Sequence, residues 1–476
     1  MTELDVDLCV IGAGSAGLSA TSLAAQLGAR VVLVERAEMG GECLNTGCVP
    51  SKALLAAAKA AHAIRSAGRF GVEAGEPRVD FAAVHRHVQS VIAAIAPHDS
   101  VERFEGLGAQ VIRAEARFVE PRLLQAGDTR IKARRVVIAT GSSAAVPKID
   151  GLDGVPCFTN ESIFANDTLP EHLLILGGGP IGMEMAQAHR RLGAKVTVIE
   201  FDRAMGHDDR ELVERLLKAL AGEGVVVREK AKVEKVRREG DRIVLSLDEG
   251  GQKTEVAGSH LLVAAGRSAR VDSLDLAKAG VEHTKDGIVV DAKLRTSAKG
   301  VYAIGDVVAK APRFTHIAGY HAGIAVLNAL IVPFSKTDYS SLPWVTYTDP
   351  ELAHVGASEA AARKEHGDDK VQVVRAEMKG NDRALTELAT LGAVKVIAHE
   401  NGTILGVSIL DTHAGEMTHL WVLAIRSGLK LKSIAQMIAP YPTLGEASKS
   451  AAGEFYKPKL FSPLARRVVR LFSHLP

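Results

Sequence analysis

Three features make this an α/β chain with an α+β module at its C-terminal end. An apolar strand runs into a glycine-rich turn, a helix, a second strand and a terminal acid, twice over. Two later strands each end in a glycine turn. From about residue 341 the pattern changes to β-rich and then helical segments. Repeated strand–helix–strand units build a parallel sheet with helices on its faces, so the first two features predict two Rossmann-like units ahead of the third module.

The first unit runs Asp7-Leu8-Cys9-Val10-Ile11, then Gly12-Ala13-Gly14-Ser15-Ala16-Gly17, a helical pattern to Leu27, and Val31 to Val34 ending at Glu35. The second runs Leu173 to Leu176, then Gly177-Gly178-Gly179-Pro180-Ile181-Gly182, a helical pattern to Leu192, and Val196 to Ile199 ending at Glu200. In both, 23 positions separate the first glycine from the acid. One such glycine pattern is a weak signal; two with matched strand, helix and acid predict a chain that binds two dinucleotides. Gly12, Gly14, Ser15 and Gly17 in one unit, and Gly177, Gly179, Ile181 and Gly182 in the other, form turns that bring backbone to a pyrophosphate at a helix N-terminus. Glu35 and Glu200 accept hydrogen bonds from an adenosine ribose. A carboxylate there repels a 2′-phosphate, which favours NADH over NADPH at the second site, although nearby Arg203 could soften that preference.

Val136 to Ala139 leads into Thr140-Gly141, and Leu261 to Ala265 leads into Gly266, each returning the chain to its sheet. Thr296 to Asp306 reads as a strand that delivers Gly305 and the Asp306 carboxylate to a C-terminal sheet edge, where open α/β sheets bind their ligands.

The segment Gly40-Gly41-Glu42-Cys43-Leu44-Asn45-Thr46-Gly47-Cys48-Val49-Pro50-Ser51-Lys52 follows the first unit and holds two cysteines five positions apart. A regular helix would turn such a pair away from each other; Gly47 lets the backbone bend and bring the thiols within disulfide range. Pro50 suits the first turn of the helix expected from the Ala- and Leu-rich run Ala53 to Ala67, which puts Cys48 near a helix N-terminus, where the dipole favours a thiolate. Cys9 inside a strand and Cys157 after a proline read as small hydrophobes.

Composition bounds the rest. Fifty-eight basic residues against 56 acidic give a formal charge of +2, so nucleic acid is not a default partner. At 476 residues and 47% hydrophobic content the chain supports roughly three domains. Four cysteines are too few for a disulfide scaffold and fit a reducing cytoplasm. The first dozen residues lack the pattern of a secretory leader, and no apolar run is long enough to span a bilayer.

Together these residues resemble the pyridine nucleotide-disulfide oxidoreductases, the flavoprotein family of dihydrolipoamide dehydrogenase, glutathione reductase and mercuric reductase. The resemblance spans nearly the whole chain; its most specific part is GGECLNTGCVPSK, joined by TSAKGVYAIGD and by Thr348-Asp349-Pro350-Glu351 opening the last module. It implies an FAD-binding domain at 1–150 resumed at 272–340, an NAD(P)-binding domain at 151–271, a dimerisation domain at 341–456 that makes a homodimer, and a tail at 457–476. It further implies that a reduced nicotinamide passes a hydride to FAD and that the electron pair moves on to a Cys43–Cys48 disulfide. Cys48 matches the flavin-proximal thiol and Cys43 the interchange thiol; Lys52 and Glu184 match the ion pair beside the flavin, and Asp306 the carboxylate on its ribityl chain.

Two positions depart from the family pattern. Disulfide reductases of this family carry His-Pro-Thr-x-x-Glu near the C-terminus, whose imidazole shuttles the dithiol proton, whereas this chain has Tyr441-Pro442-Thr443-Leu444-Gly445-Glu446. A phenol of ordinary pKa is ionised in only about one molecule in 10³ at pH 7, a handicap of roughly 4 kcal/mol against a neutral imidazole. Mercuric reductases also place a tyrosine there, but bacterial ones typically end in a vicinal cysteine pair, and no cysteine follows Cys157. The chain thus resembles the mercuric-reductase-like branch most closely, and the acceptor stays open between a thiol or disulfide, a metal ion and a quinone. An atypical dihydrolipoamide dehydrogenase and a redox-sensing electron-transfer protein remain as alternatives, and Tyr441 and Glu446 are either site residues or interface packing. The second departure is Pro180, where many relatives have a tyrosine that shields the nicotinamide.

Three further features are ambiguous. His316 and His321, five apart, read as packing or flavin contacts more readily than as metal ligands, and no metal site is expected. Asn381-Asp382-Arg383 reads as a solvated loop more readily than as a substrate contact from the last module. In the tail, Phe461, Leu464, Val468, Leu471 and Phe472 share a helical stripe apart from Arg466, Arg467 and Arg470, a pattern that either packs on its own domain or settles on an anionic membrane or a protein partner.

Overall fold

The structure is a computed structural model that describes residues 2–473. It divides into two compact units: residues 1–201 with 230–337, and residues 202–229 with 338–476.

In the first unit the strand Thr2–Ile11 is flanked in parallel by Val31–Glu35 and Thr129–Ile138. Ala109–Arg113 extends the sheet on one side, and Val301–Ala303 pairs in parallel with the C-terminal part of Thr129–Ile138 on the other. Val31–Val34 and the C-terminal ends of Thr2–Ile11 and Thr129–Ile138 are continuous buried apolar runs because both faces are covered there, as parallel strands require. Leu8, Val10 and Leu33 face one core cluster, and Cys9, Val32 and Val34 face the other. Helix Ser15–Gln26 follows the first strand. A second parallel sheet repeats the arrangement: His172–Leu176 pairs with Lys195–Ile199 and with His260–Val263, and helix Pro180–Leu192 follows its first strand. An antiparallel meander, Lys232–Glu239, Arg242–Glu249 and Gln252–Gly258, accompanies it.

The second unit is α+β. Its antiparallel sheet runs in the order Pro343–Thr346, Glu351–Gly356, Ile404–Asp411, Ala393–His399, Val371–Glu377. Helix Ala414–Arg426 packs against it through the fully buried Trp421, whose indole N–H donates to Ser448 Oγ at 3.2 Å. Residues 202–229 cluster with this unit, although their strand Val225–Arg228 belongs to the sheet of Lys195–Ile199 and His172–Leu176. Arg215 on helix Arg210–Gly222 bonds Glu377 at 2.6 and 3.0 Å, and Asp209 takes a 2.6 Å bond from the buried Lys395. Among the described residues no helix is long and apolar enough to cross a membrane.

Candidate active site

The two glycine turns are near-copies in space. Gly12 and Gly177 have φ of 104° and 112°, a region open to glycine but strained for other residues. A Cβ on Gly17 would stand 1.7 Å from the Gly12 carbonyl oxygen, and one on Gly182 would stand 2.0 Å from that of Gly177, so these two glycines close the turn onto its helix. Gly14 and Gly179 differ in kind. Both are extended N-cap residues, and a Cβ would meet nothing within 4 Å at Gly179 and only Gly41 Cα, at 3.9 Å, at Gly14. Their backbone opens onto free space at a helix N-terminus, which is the room a pyrophosphate needs. The donor sets thus fit two dinucleotides.

The acids close the parallel. Glu35 accepts the Ala13 N–H at 2.6 Å, and Glu200 accepts the Gly178 N–H at 2.7 Å. One difference separates the turns: helix Ser15–Gln26 begins with a residue that has an N–H, whereas helix Pro180–Leu192 begins with proline.

Cys43 lies in the one-turn helix Gly41–Asn45, and Cys48 is the first residue of the 19-residue helix Cys48–Ser66. Asn45 holds the short helix by donating to Met39 O at 2.9 Å and Gly41 O at 2.8 Å. Gly47 joins the two. Its φ is ordinary, −132°, but a Cβ there would stand 2.9 Å from Glu42 O and 3.5 Å from Cys43 Cα, so glycine is required by close approach.

Both cysteines are free thiols, and they are hydrogen-bonded to each other. The Cys43 thiol donates to Cys48, the Thr315 hydroxyl stands 3.2 Å from Cys48 Sγ, and the Lys52 ammonium lies one turn along the same helix. These three lower the Cys48 pKa to about 6 against the desolvation that opposes them. Cys43 moves up, because its proton is held in the bond to Cys48 and because it is partly buried. Lys52 Nζ is 2.8 Å from Oε2 of the buried Glu184, which projects from helix Pro180–Leu192. Cys9 is fully buried and its thiol is pushed up to about 12, while burial also raises Cys157.

Sequence reasoning passed over the residue that ties this loop to the sheet edge. Arg267, directly after Gly266, grips the Glu42 carboxylate with both terminal nitrogens. Its Nε donates to Ser142 Oγ at 2.9 Å and lies 3.5 Å from Asp306 Oδ2, which also accepts from Ser142 at 2.6 Å. Asn160 adds a 2.7 Å bond to Glu42. The residue beside Cys43 is thereby fastened to the carboxylate expected to meet the flavin chain. The only available signal was that Glu42 and Arg267 each adjoin a motif residue. Thr140 donates its hydroxyl to Arg270 O at 2.7 Å, and Gly141, Gly266 and Gly305 all have positive φ. His321 is buried, accepts the Gly305 N–H at 3.1 Å and has its pKa lowered to about 4 by desolvation, so it is a neutral support for the turn that carries Asp306.

In the second unit Tyr441 is 71% exposed and donates its hydroxyl to Asp382 Oδ2 at 2.9 Å. That bond raises the phenol's pKa above its ordinary value. Glu446 accepts the Thr443 N–H at 3.2 Å. In the segment 381–383, Asp382 and Arg383 are exposed as expected, whereas Asn381 is buried, caps helix Asp382–Thr386 through Ala384 N at 3.0 Å and donates to Thr443 O at 3.0 Å.

These features define a flavoprotein built around a dithiol, and comparison with known proteins gives its family. Residues 6–322 match the pyridine nucleotide-disulphide oxidoreductases and residues 342–452 match the dimerisation domain of that family. The chain belongs to this family and is an FAD-dependent disulfide oxidoreductase that uses NAD(P)H. It is 36% identical over 457 residues to a mercuric reductase of Streptomyces lividans, covering 94% of this chain and 96% of the relative. It is also 36% identical over 456 residues to a dihydrolipoyl dehydrogenase of Thermus scotoductus, covering 95% and 97%. Among solved structures, the HOCl-induced flavoprotein disulfide reductase RclA from Escherichia coli superposes with a TM-score of 0.83 at 26% identity, covering 94% of this chain and 99% of that one. RclA has also been solved as a Cu(II) complex.

Proposed function

We propose that this enzyme carries electrons from NADH through FAD to the Cys43–Cys48 pair, and from there to a thiophilic metal ion such as Hg(II). Residues 1–150 and 272–340 hold FAD, residues 151–271 hold the nicotinamide nucleotide, and the chain works as a cytoplasmic homodimer. When bound, the flavin supplies two-electron transfer between nicotinamide and disulfide. The Cys43 thiol, the Thr315 hydroxyl and the Lys52 ammonium, with the N-terminus of helix Cys48–Ser66, keep Cys48 as the thiolate against the opposing charge of Glu184, while Cys43 holds the proton and meets the acceptor. Glu200 keeps a carboxylate where a 2′-phosphate would sit, which supports NADH over NADPH.

The observation that carries the choice of acceptor is the Tyr441–Asp382 hydrogen bond. A phenol whose pKa is raised cannot take the proton of a dithiol substrate. Nor does it readily protonate a leaving thiolate, since the thiolate is the weaker base. Reduction of a divalent metal ion avoids that step: the metal takes two electrons, Cys43 and Cys48 close a disulfide, and the thiol proton leaves to water. Thiolates are also the ligands that soft metals prefer.

Anaerobic turnover of NADH with Hg(II) in excess thiol, lipoamide, glutathione disulfide and quinones tests this. Metal reduction should dominate and vanish in Cys43→Ser, and Tyr441→His should raise lipoamide turnover by about 10²-fold without raising metal reduction. Faster wild-type turnover of lipoamide or glutathione disulfide than of the metal would overturn the reading.

A further inference from the structure

Residues 457–473 form a surface that electron transfer does not use. Beyond the dimerisation domain, matched to residue 452, come a short helix Lys457–Leu460 and a ten-residue helix Pro463–Phe472, capped by Ser462 Oγ on the Ala465 N–H at 3.2 Å. Neither contains a buried residue. Leu460, Phe461, Leu464, Val469, Leu471 and Phe472 are each at least 60% exposed, so the alternative in which this segment packs on its own domain does not describe it. Each large apolar side chain left in water forgoes burial that proteins ordinarily use, and a row of them on one element marks an interaction surface.

The pattern selects the partner. At 100° per residue, Leu464, Ala465, Val468, Val469, Leu471 and Phe472 cover an arc of about 160°, and Arg466, Arg467 and Arg470 occupy the rest of the circumference. Arg466 and Arg467 border the two edges of the apolar arc, where a long side chain can lay its stem along a hydrophobic layer and hold its charge at the boundary. Charge is segregated in the same way. Residues 457–476 contain five basic residues and no acidic one, and removing that +5 from the whole-chain +2 leaves −3 on residues 1–456. Pairing one tail with the tail of a second copy would crowd ten positive charges, of which only the Lys457 of each copy has an acid, Glu454, beside it. A helix of ten residues is about 15 Å long, half the thickness of a bilayer core, so it can lie in an interface but not cross it.

We propose that Lys457–Phe472 docks the enzyme on an anionic phospholipid bilayer, with the apolar arc among the acyl chains and the arginines and lysines on lipid phosphates. Arginine and lysine near such a surface add an electrostatic attraction, weakened by salt, to the apolar burial. The docking is independent of the acceptor and leaves the dithiol chemistry unchanged.

Co-sedimentation of the FAD-loaded enzyme with phosphatidylcholine vesicles, with and without phosphatidylglycerol, tests it. Full-length enzyme should pellet only with the phosphatidylglycerol vesicles and be released by high salt. A chain ending at residue 456, and a Leu464→Ser/Phe472→Ser variant that keeps every charge, should both stay in the supernatant with unchanged NADH-dependent dye reduction. Equal pelleting of full-length and shortened enzyme would overturn the proposal. So would undiminished binding of the double variant, or a shortened enzyme that falls apart into monomers, which would assign the tail to a second copy.

Discussion

Replacing Thr315 by valine keeps the shape of the side chain but removes the hydroxyl that stands 3.2 Å from Cys48 Sγ. Thr315 is exposed and opens helix Thr315–Leu330, so the change leaves the core intact. Cys48 titrates at about 6, which makes about nine-tenths of it thiolate at pH 7. A hydrogen bond to a charged acceptor contributes about 1.5–3 kcal/mol, or one to two pKa units, and solvent near Cys48 brings the expectation to the lower figure. The midpoint should therefore rise to about 7, leaving roughly half the sulfur ionised at neutral pH. The sign follows from the direction of the shift: a lowered thiol pKa stabilises the thiolate above the midpoint, and that form is lost as pH falls through it. In the anaerobic, two-electron-reduced holoenzyme, the long-wavelength thiolate–flavin absorption followed against pH reads the midpoint directly. Lys52→Met should move it in the same direction. A Thr315→Val midpoint equal to that of the wild type would refute the role assigned to the hydroxyl.

Two further substitutions probe the rest of the site. Gly182→Ala forces a methyl to within 2.0 Å of the Gly177 carbonyl oxygen, so NADH binding should be lost by calorimetry while flavin absorbance per chain is retained; Gly17→Ala should instead lose the flavin. Arg267→Met leaves the Glu42 and Asp306 carboxylates without their shared cation, which should destabilise the protein by about 3–5 kcal/mol in chemical denaturation and speed FAD release, with Arg267→Lys recovering only part because it lacks the bidentate fork.

Much of this was legible in the residues because it depends on local chemistry. Both nucleotide turns follow from glycine spacing, since Gly12, Gly17, Gly177 and Gly182 are fixed by contacts within their own turns and sheets. The thiol pair was legible because Gly47, Pro50 and the alanine-rich run act within one stretch of chain. What stayed hidden depends on residues far apart in sequence. Thr315 reaches Cys48 across 267 positions and Arg267 reaches Glu42 across 225, and neither has a spacing rule to announce it. The order at Asn381 has the same origin, because its second bond goes to Thr443, 62 positions on. Helix Arg210–Gly222 joins the second unit for a related reason: its partners Glu377 and Arg375 lie more than 150 residues downstream.

The proline that opens helix Pro180–Leu192 has a consequence in time rather than in shape. A phosphate arriving at Ser15 finds a backbone donor that a phosphate arriving at Pro180 does not. One charge-assisted hydrogen bond fewer corresponds to a lifetime shorter by about 10- to 100-fold. Under the cofactor assignment proposed above, the second turn should release its nucleotide sooner than the same turn with an N–H at that position. Two copies of one turn thus differ in how firmly each can hold a phosphate, by the one hydrogen that proline lacks.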